Sequence, residues 1–114
     1  MELEINQKEV SPGTAVISLE GSVMRGPEGE RIETVLNGLL GQGCRTIIFD
    51  LAGVKRIDST GIGRFIYSLN KVEETGGRLR MAAAQGYVRE CFRVTRLDTI
   101  FHFCETVEEA LAAG

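Results

Sequence analysis

The chain has 114 residues, of which 43% are hydrophobic and 25% charged, and its formal net charge is −3. These values are typical of one soluble domain that buries a single core. The excess of acidic side chains argues against direct nucleic-acid binding. The first residues lack the apolar segment of a signal peptide, and no apolar run approaches the roughly 20 residues that cross a bilayer. We therefore expect a cytoplasmic protein without membrane insertion, with residues 1–114 forming one domain.

The cysteines give no sign of a disulfide framework or of a zinc site. Cys44, Cys91 and Cys104 are odd in number and form no CxxC pair. His102 and Cys104 are the nearest approach to a metal pair, but a metal site needs more ligands. We expect both to be buried or half-buried neutral residues, and we expect no metal or other cofactor.

Two strands and one helix are predicted in the first third of the chain. The strands fall at about residues 2–8 and 14–21, on either side of a Pro12-Gly13 turn. A helix is predicted from Pro27, which suits a first helical turn, to Gly41, because apolar residues between them recur at helical spacing.

Strands and helices then alternate to the end of the chain. They are predicted as a strand at 46–54, a helix at 62–72, a strand at 78–84, a short helix at 88–95, a strand at 100–104 and a helix after Thr106. Two leading strands followed by α-β-α-β-α-β-α predict an α/β fold with a mixed sheet of about five strands and about four helices. In such sheets the junctions where strands enter helices gather the functional groups.

One such junction, residues 57–63, reads I-D-S-T-G-I-G. Asp58 or Ser59 can cap the following helix, with Gly61 permitting close packing. A cap alone does not require three polar residues and two glycines, so a functional role is also indicated.

Catalytic and phosphate-binding interpretations of this junction fit poorly. A serine hydrolase elbow needs glycine where Ile57 stands, and His102 is the only histidine available as a base. A dinucleotide loop needs glycine where Ile66 stands, and G-K-[ST] is absent. Asp50 lacks the acidic cluster of a phosphoacceptor aspartate.

A better hypothesis is that Ser59 is itself a substrate. A hydroxyl at a helix N-terminus is exposed, and the helix dipole favours a phosphate there. Phosphorylation adds about 1.5 to 2 negative charges, next to Asp58. A partner bound to the neutral surface would then meet bulk, desolvation and like-charge repulsion.

These residues resemble the STAS family of sulfate transporter and anti-sigma factor antagonist domains. The similarity rests on I-I-F-D-L-A-G-V, I-D-S-T-G-I-G and G-G-R-L-R-M, and it extends from about Glu2 to Ala112. With nothing fused on either side, the chain resembles the free-standing bacterial anti-sigma factor antagonist.

The resemblance implies partner switching. The unmodified protein would bind an anti-sigma factor that is also a serine kinase, and so release a sigma factor. That kinase would phosphorylate Ser59 and the complex would dissociate, after which a serine phosphatase would reset the cycle. Asp58, Thr60 and Gly61 would shape the docking surface.

Two further residues are expected at that surface. Many family members carry Gly-x-Leu-Asp after the second strand, with the aspartate beside the serine; here Met24 takes its place and Arg25 follows. The alternatives are a non-switching STAS scaffold in a larger signalling or membrane-associated complex, a small serine hydrolase and a nucleotide-binding module. The sequence leaves open whether the chain forms a homodimer.

Overall fold

The structure is a computed structural model that describes residues 2–113. Five strands and four helices alternate after a leading hairpin, as predicted. The strands are β1 (Leu3–Ser11), β2 (Thr14–Val23), β3 (Thr46–Ile57), β4 (Arg78–Ala82) and β5 (His102–Cys104). The helices are α1 (Pro27–Gly41), α2 (Ser59–Glu74), α3 (Gly86–Val94) and α4 (Val107–Ala112).

All five strands form one mixed sheet in the order β1-β2-β3-β4-β5. β1 pairs antiparallel with β2, while β2 to β5 run parallel to one another. The predicted α/β fold with a mixed five-stranded sheet and four helices is therefore confirmed. Because the parallel strands share one direction, their carboxyl ends, and the loops that enter the helices, lie along a single edge of the molecule.

The sheet is covered on both faces, as the continuous apolar run of β3 predicts. α1, α2 and α3 pack on one face, where Ile47 and Phe49 of β3 join the main core. α4 packs on the other face, where Ile48 and Ala110 belong to a smaller cluster. Phe65 of α2 meets Phe49 edge-to-face, with ring centroids 5.1 Å apart, and this contact fixes α2 over the middle of the sheet.

The observed elements differ from the predicted ones mainly at their ends. β3 runs to Ile57, three residues beyond the predicted end, because it stays paired with β2 as far as Val23. A short 3-10 turn at Leu97–Thr99, absent from the prediction, precedes β5.

The expectation for His102 is wrong. Cys104 is buried as expected, but His102 is exposed. β5 is a three-residue edge strand, and the cluster beneath α4 includes Cys104 at the strand's end but not His102 at its start.

Candidate functional site

The candidate site lies at the carboxyl ends of β2 and β3. Val23 and Ile57 are paired at the end of the parallel ladder, and the Asp58 N–H donates to the Val23 carbonyl. The loop between β2 and α1 therefore lies beside the junction that opens α2. Residues more than 30 positions apart in the sequence form one surface there.

Asp58 is the cap of α2, which resolves the choice between Asp58 and Ser59. Its backbone is extended, and its Oδ1 accepts from the Gly61 N–H at 2.7 Å. Its Oδ2 accepts from the Arg25 N–H at 3.1 Å. One carboxylate therefore both starts the helix and fixes the β2–α1 loop.

The environment of Asp58 lowers the pKa of its carboxyl group. Desolvation is the largest single influence and raises the pKa, but it is outweighed by the backbone N–H groups of Gly61, Arg25 and Thr60 and by the Arg25 charge. The carboxylate is thus the stable form at neutral pH.

Asp58→Ala is expected to lower the free energy of unfolding by about 1 kcal/mol at pH 7, because the cap is lost. Since the folded-state pKa is lowered, the part of this stabilisation that depends on the carboxylate charge is complete above the usual aspartate pKa of about 3.9 and is lost as pH falls through the folded-state value. Urea unfolding at several pH values measures the difference. Asp58→Asn, which can still cap the helix, is the matched control and should show no such pH dependence at this site.

Ser59 and Thr60 begin α2 and both are exposed. The Ser59 hydroxyl makes no hydrogen bond to any residue that the structure describes. It therefore lies in solvent at the positive end of a 16-residue helix and is accessible to another protein.

Gly61 lies under this surface. It is buried, and a Cβ there would come within 1.9 Å of the Val23 carbonyl oxygen. Only glycine lets the first turn of α2 approach the end of β2 so closely. Ile62, the next residue, is partly buried against the main core.

Arg64 is a component of the site that the sequence analysis missed. Its side chain is only 8% exposed. Its guanidinium donates to the carbonyl oxygens of Met24, at 3.3 Å, and Gly26, at 3.1 Å, and to Glu33 Oε1, at 2.7 Å. Because this arginine binds two backbone carbonyls of the β2–α1 loop, it fixes the loop together with Asp58, which accepts from the Arg25 N–H.

Gly29, on the first turn of α1, provides the space for that guanidinium. A Cβ at Gly29 would come within 2.5 Å of Arg64 Nε and of the Met24 carbonyl oxygen. No periodicity in the sequence marks either residue. Arg64 lies beside the apolar stripe of α2, and its burial depends on a helix about 30 residues away.

A polar pocket of about 280 Å³ opens between the loop and the junction. Its lining includes the predicted surface residues Met24, Arg25 and Asp58, together with Ser22. Ser22 Oγ is buried and has no hydrogen-bond partner within residues 2–113. The surface beside Asp58 is therefore recessed and lined mainly by polar and charged residues.

The sequence matches the family model of the STAS domain over residues 6–110. The chain belongs to the STAS family. This finding confirms the resemblance, because the match spans nearly the whole chain.

Curated relatives of this STAS domain are regulators of sigma factors by name. The anti-sigma-B factor antagonist of Staphylococcus aureus is 29% identical over 77 residues, which cover 68% of this chain and 71% of the relative. BtrV of Bordetella bronchiseptica, named as a candidate anti-sigma factor antagonist, is 26% identical over 101 residues, covering 89% and 86%.

The structure of the anti-sigma factor antagonist SpoIIAA in its unphosphorylated form is similar throughout. The TM-score is 0.80 at 26% identity, covering 95% of this chain and 93% of the other. The sheet and helices of this STAS domain thus follow the SpoIIAA fold.

The structure brings most of the predicted site residues together. Met24, Arg25 and Asp58 share one pocket, Ser59 and Thr60 lie exposed next to Asp58, and Gly61 lies buried beneath. Their roles in phosphorylation and partner binding stay predictions at this point. Within residues 2–113, no helix could cross a bilayer, and no group of three or more potential ligands could hold a metal ion.

Proposed function

We propose that this STAS domain is an anti-sigma factor antagonist whose binding surface is controlled by phosphorylation of Ser59. The unmodified chain binds an anti-sigma factor with serine kinase activity, and a sigma factor is released. The STAS family match and the relatives named as anti-sigma factor antagonists support the antagonist role. The chain acts in this cycle as a binding protein and a kinase substrate, in the cytoplasm, with no catalytic residue of its own.

The observation that carries the proposal is the exposed hydroxyl of Ser59 at the start of α2, which forms no hydrogen bond within residues 2–113. Phosphoryl transfer from ATP joins the γ-phosphorus to Ser59 Oγ, breaks its bond to the β–γ bridging oxygen, releases ADP and passes the hydroxyl proton to the kinase. A serine phosphatase reverses the change by hydrolysis. Neither step requires the chain to unfold, because the oxygen already faces solvent.

A phosphate on Ser59 would weaken partner binding because it lies next to another negative charge. Asp58 adjoins it, and its lowered pKa keeps that carboxylate ionised. Its two oxygens already accept the N–H groups of Gly61 and Arg25. A phosphate of about −1.5 to −2 beside this carboxylate creates an acidic patch, and burying such a patch against a partner is costly.

The rigidity of the surface also supports a switch. Asp58 and Arg64 both fix the β2–α1 loop through hydrogen bonds to its backbone. A partner therefore meets a surface that is already ordered, and less conformational entropy is lost on binding. The phosphate then acts mainly through charge and bulk.

Phosphate mapping tests the acceptor assignment. The chain is incubated with Mg-ATP and serine-kinase anti-sigma factors from the same genome, and peptides are sequenced by mass spectrometry. We expect one phosphate per chain on Ser59, no incorporation in Ser59→Ala and, in the neighbouring Thr60→Ala, phosphate that still maps to Ser59. Phosphate on another residue, or incorporation that persists in Ser59→Ala, would overturn the assignment.

A further inference from the structure

The first strand leaves one edge of the sheet open. β1 is nine residues long and pairs only with β2 within the described chain. The opposite edge strand, β5, has three residues and offers little to pair with. A long strand with unpaired backbone groups is a template for another strand.

Two hydrogen bonds show which residues of β1 face outward. The Glu2 carbonyl accepts from the Ser22 N–H at 3.3 Å, so Glu2 faces β2. The N–H and C=O groups of successive residues in an antiparallel ladder point alternately to either side of the strand. The backbone N–H and C=O groups of Leu3, Ile5 and Gln7 therefore point to the open edge. The Leu3 carbonyl agrees with this, because it accepts from Arg31 Nη1 of α1 at 3.2 Å.

The side chains of β1 are self-complementary in one antiparallel register. Glu4, Asn6 and Lys8 are exposed and project from the same face of the strand. A two-fold axis through Asn6 places Glu4 of each copy opposite Lys8 of the other. Centring the axis on Gln7 gives no opposite-charge pair, and centring it on Ile5 places Lys8 opposite Glu2, which lies outside the nine-residue strand.

We propose that a second copy of this chain pairs with β1 in that register, joining two sheets into one of ten strands. The N–H and C=O groups of Ile5 bond to those of Gln7 in the other copy. Arg31, which lies at the Leu3 end of the edge, comes next to Glu9 of the second copy, since Leu3 and Glu9 are opposite each other. The two copies contact each other through the same residues, as a two-fold symmetric interface requires.

The arrangement leaves the proposed switch accessible. The two-fold axis lies perpendicular to the sheet, so the carboxyl ends of the parallel strands point in opposite directions in the two copies. The two Ser59 surfaces then lie at opposite ends of the dimer, and each can bind its own partner. The inference goes beyond the proposed function and does not depend on it.

Cysteine cross-linking tests the register. In that register Asn6 faces Asn6 of the second copy as a non-hydrogen-bonded pair, with Cα atoms about 4.5 Å apart, within the range of a disulfide. Asn6→Cys in a Cys91→Ser background should oxidise to a covalent dimer. Val10→Cys in the same background is the matched control, because Val10 is exposed and leaves both charge pairs intact. It should form no covalent dimer on oxidation, since its two copies would lie about 27 Å apart along the strands.

Sedimentation equilibrium of the full chain tests the pairing itself. We expect a concentration-dependent dimer, and Glu4→Lys should raise its dissociation constant about tenfold by making both charge pairs repulsive. Glu4→Lys combined with Lys8→Glu should restore it, with circular dichroism confirming that each variant is folded. A monomer at every concentration, equal cross-linking of the two cysteine variants, or a dimer indifferent to the charge reversal would overturn the proposal.

Discussion

Ser59→Asp is expected to weaken binding to the anti-sigma factor by about 100-fold, or about 2.7 kcal/mol. The substitution places a carboxylate on the exposed first residue of α2, beside the ionised Asp58. A partner that covers this surface must then desolvate two neighbouring negative charges. Ser59→Ala should bind as tightly as the natural chain and should stay bound when ATP is added. Isothermal titration calorimetry with the purified partner measures both variants.

Thr34→Asp is the control for the added charge. Thr34 is exposed on α1 and lies outside the lining of the pocket beside Asp58. Thr34→Asp adds the same negative charge as Ser59→Asp but places it away from the proposed binding surface. The affinity of this variant should therefore match that of the natural chain. Identical binding by Ser59→Ala and Ser59→Asp would instead favour a constitutive STAS scaffold. Ester hydrolysis that disappears in Ser59→Ala would favour a serine hydrolase.

Gly61→Ala is expected to have the largest effect on stability, lowering the free energy of unfolding by about 3 kcal/mol. The added methyl group would lie 1.9 Å from the Val23 carbonyl oxygen, and a backbone atom cannot move aside like a flexible side chain. The start of α2 must therefore shift away from β2. This shift would also disturb the Asp58 cap, whose Oδ1 accepts from the N–H of this residue.

Gly63→Ala is the matched control, two residues further along the same helix. Gly63 is exposed, and apart from its chain neighbours and the backbone of its own helix, no atom of residues 2–113 lies within 4 Å of the position that a Cβ would take there. Alanine has the higher helix propensity, so this variant should be more stable by about 1 kcal/mol. Urea unfolding of both variants gives the comparison. A gain of stability in Gly61→Ala like that in Gly63→Ala, as helix propensity alone predicts, would show that the close contact with β2 does not require glycine at position 61.

The order of elements could be predicted because it depends on local patterns. The apolar run of β3 and the helical spacing in α1 and α2 report burial directly, and the turn glycines mark where these elements end. The position of Ser59 followed from the same reasoning, since the first residue of a helix after a buried strand has few neighbours. The exposure of Ser59 could therefore be predicted from the sequence.

The contacts that shape the site could not be predicted in the same way. The bond from Arg25 to Asp58 uses a backbone N–H, which every residue except proline possesses, so the sequence carries no sign of it. The burial of Arg64 requires the absence of a side chain at Gly29, 35 positions away. For His102 the sequence carried a signal, but the prediction from it was wrong. An apolar neighbourhood in the sequence suggested burial, but the edge position of β5 leaves the ring exposed.

The most direct test compares one protein before and after a single modification. The chain is phosphorylated at Ser59 by its partner kinase, purified and titrated against that partner without ATP, next to unmodified chain. We expect the dissociation constant to rise at least 100-fold on phosphorylation and to return to its first value after phosphatase treatment. Equal affinity of the two forms would contradict the claim that a phosphate on this exposed hydroxyl releases the partner.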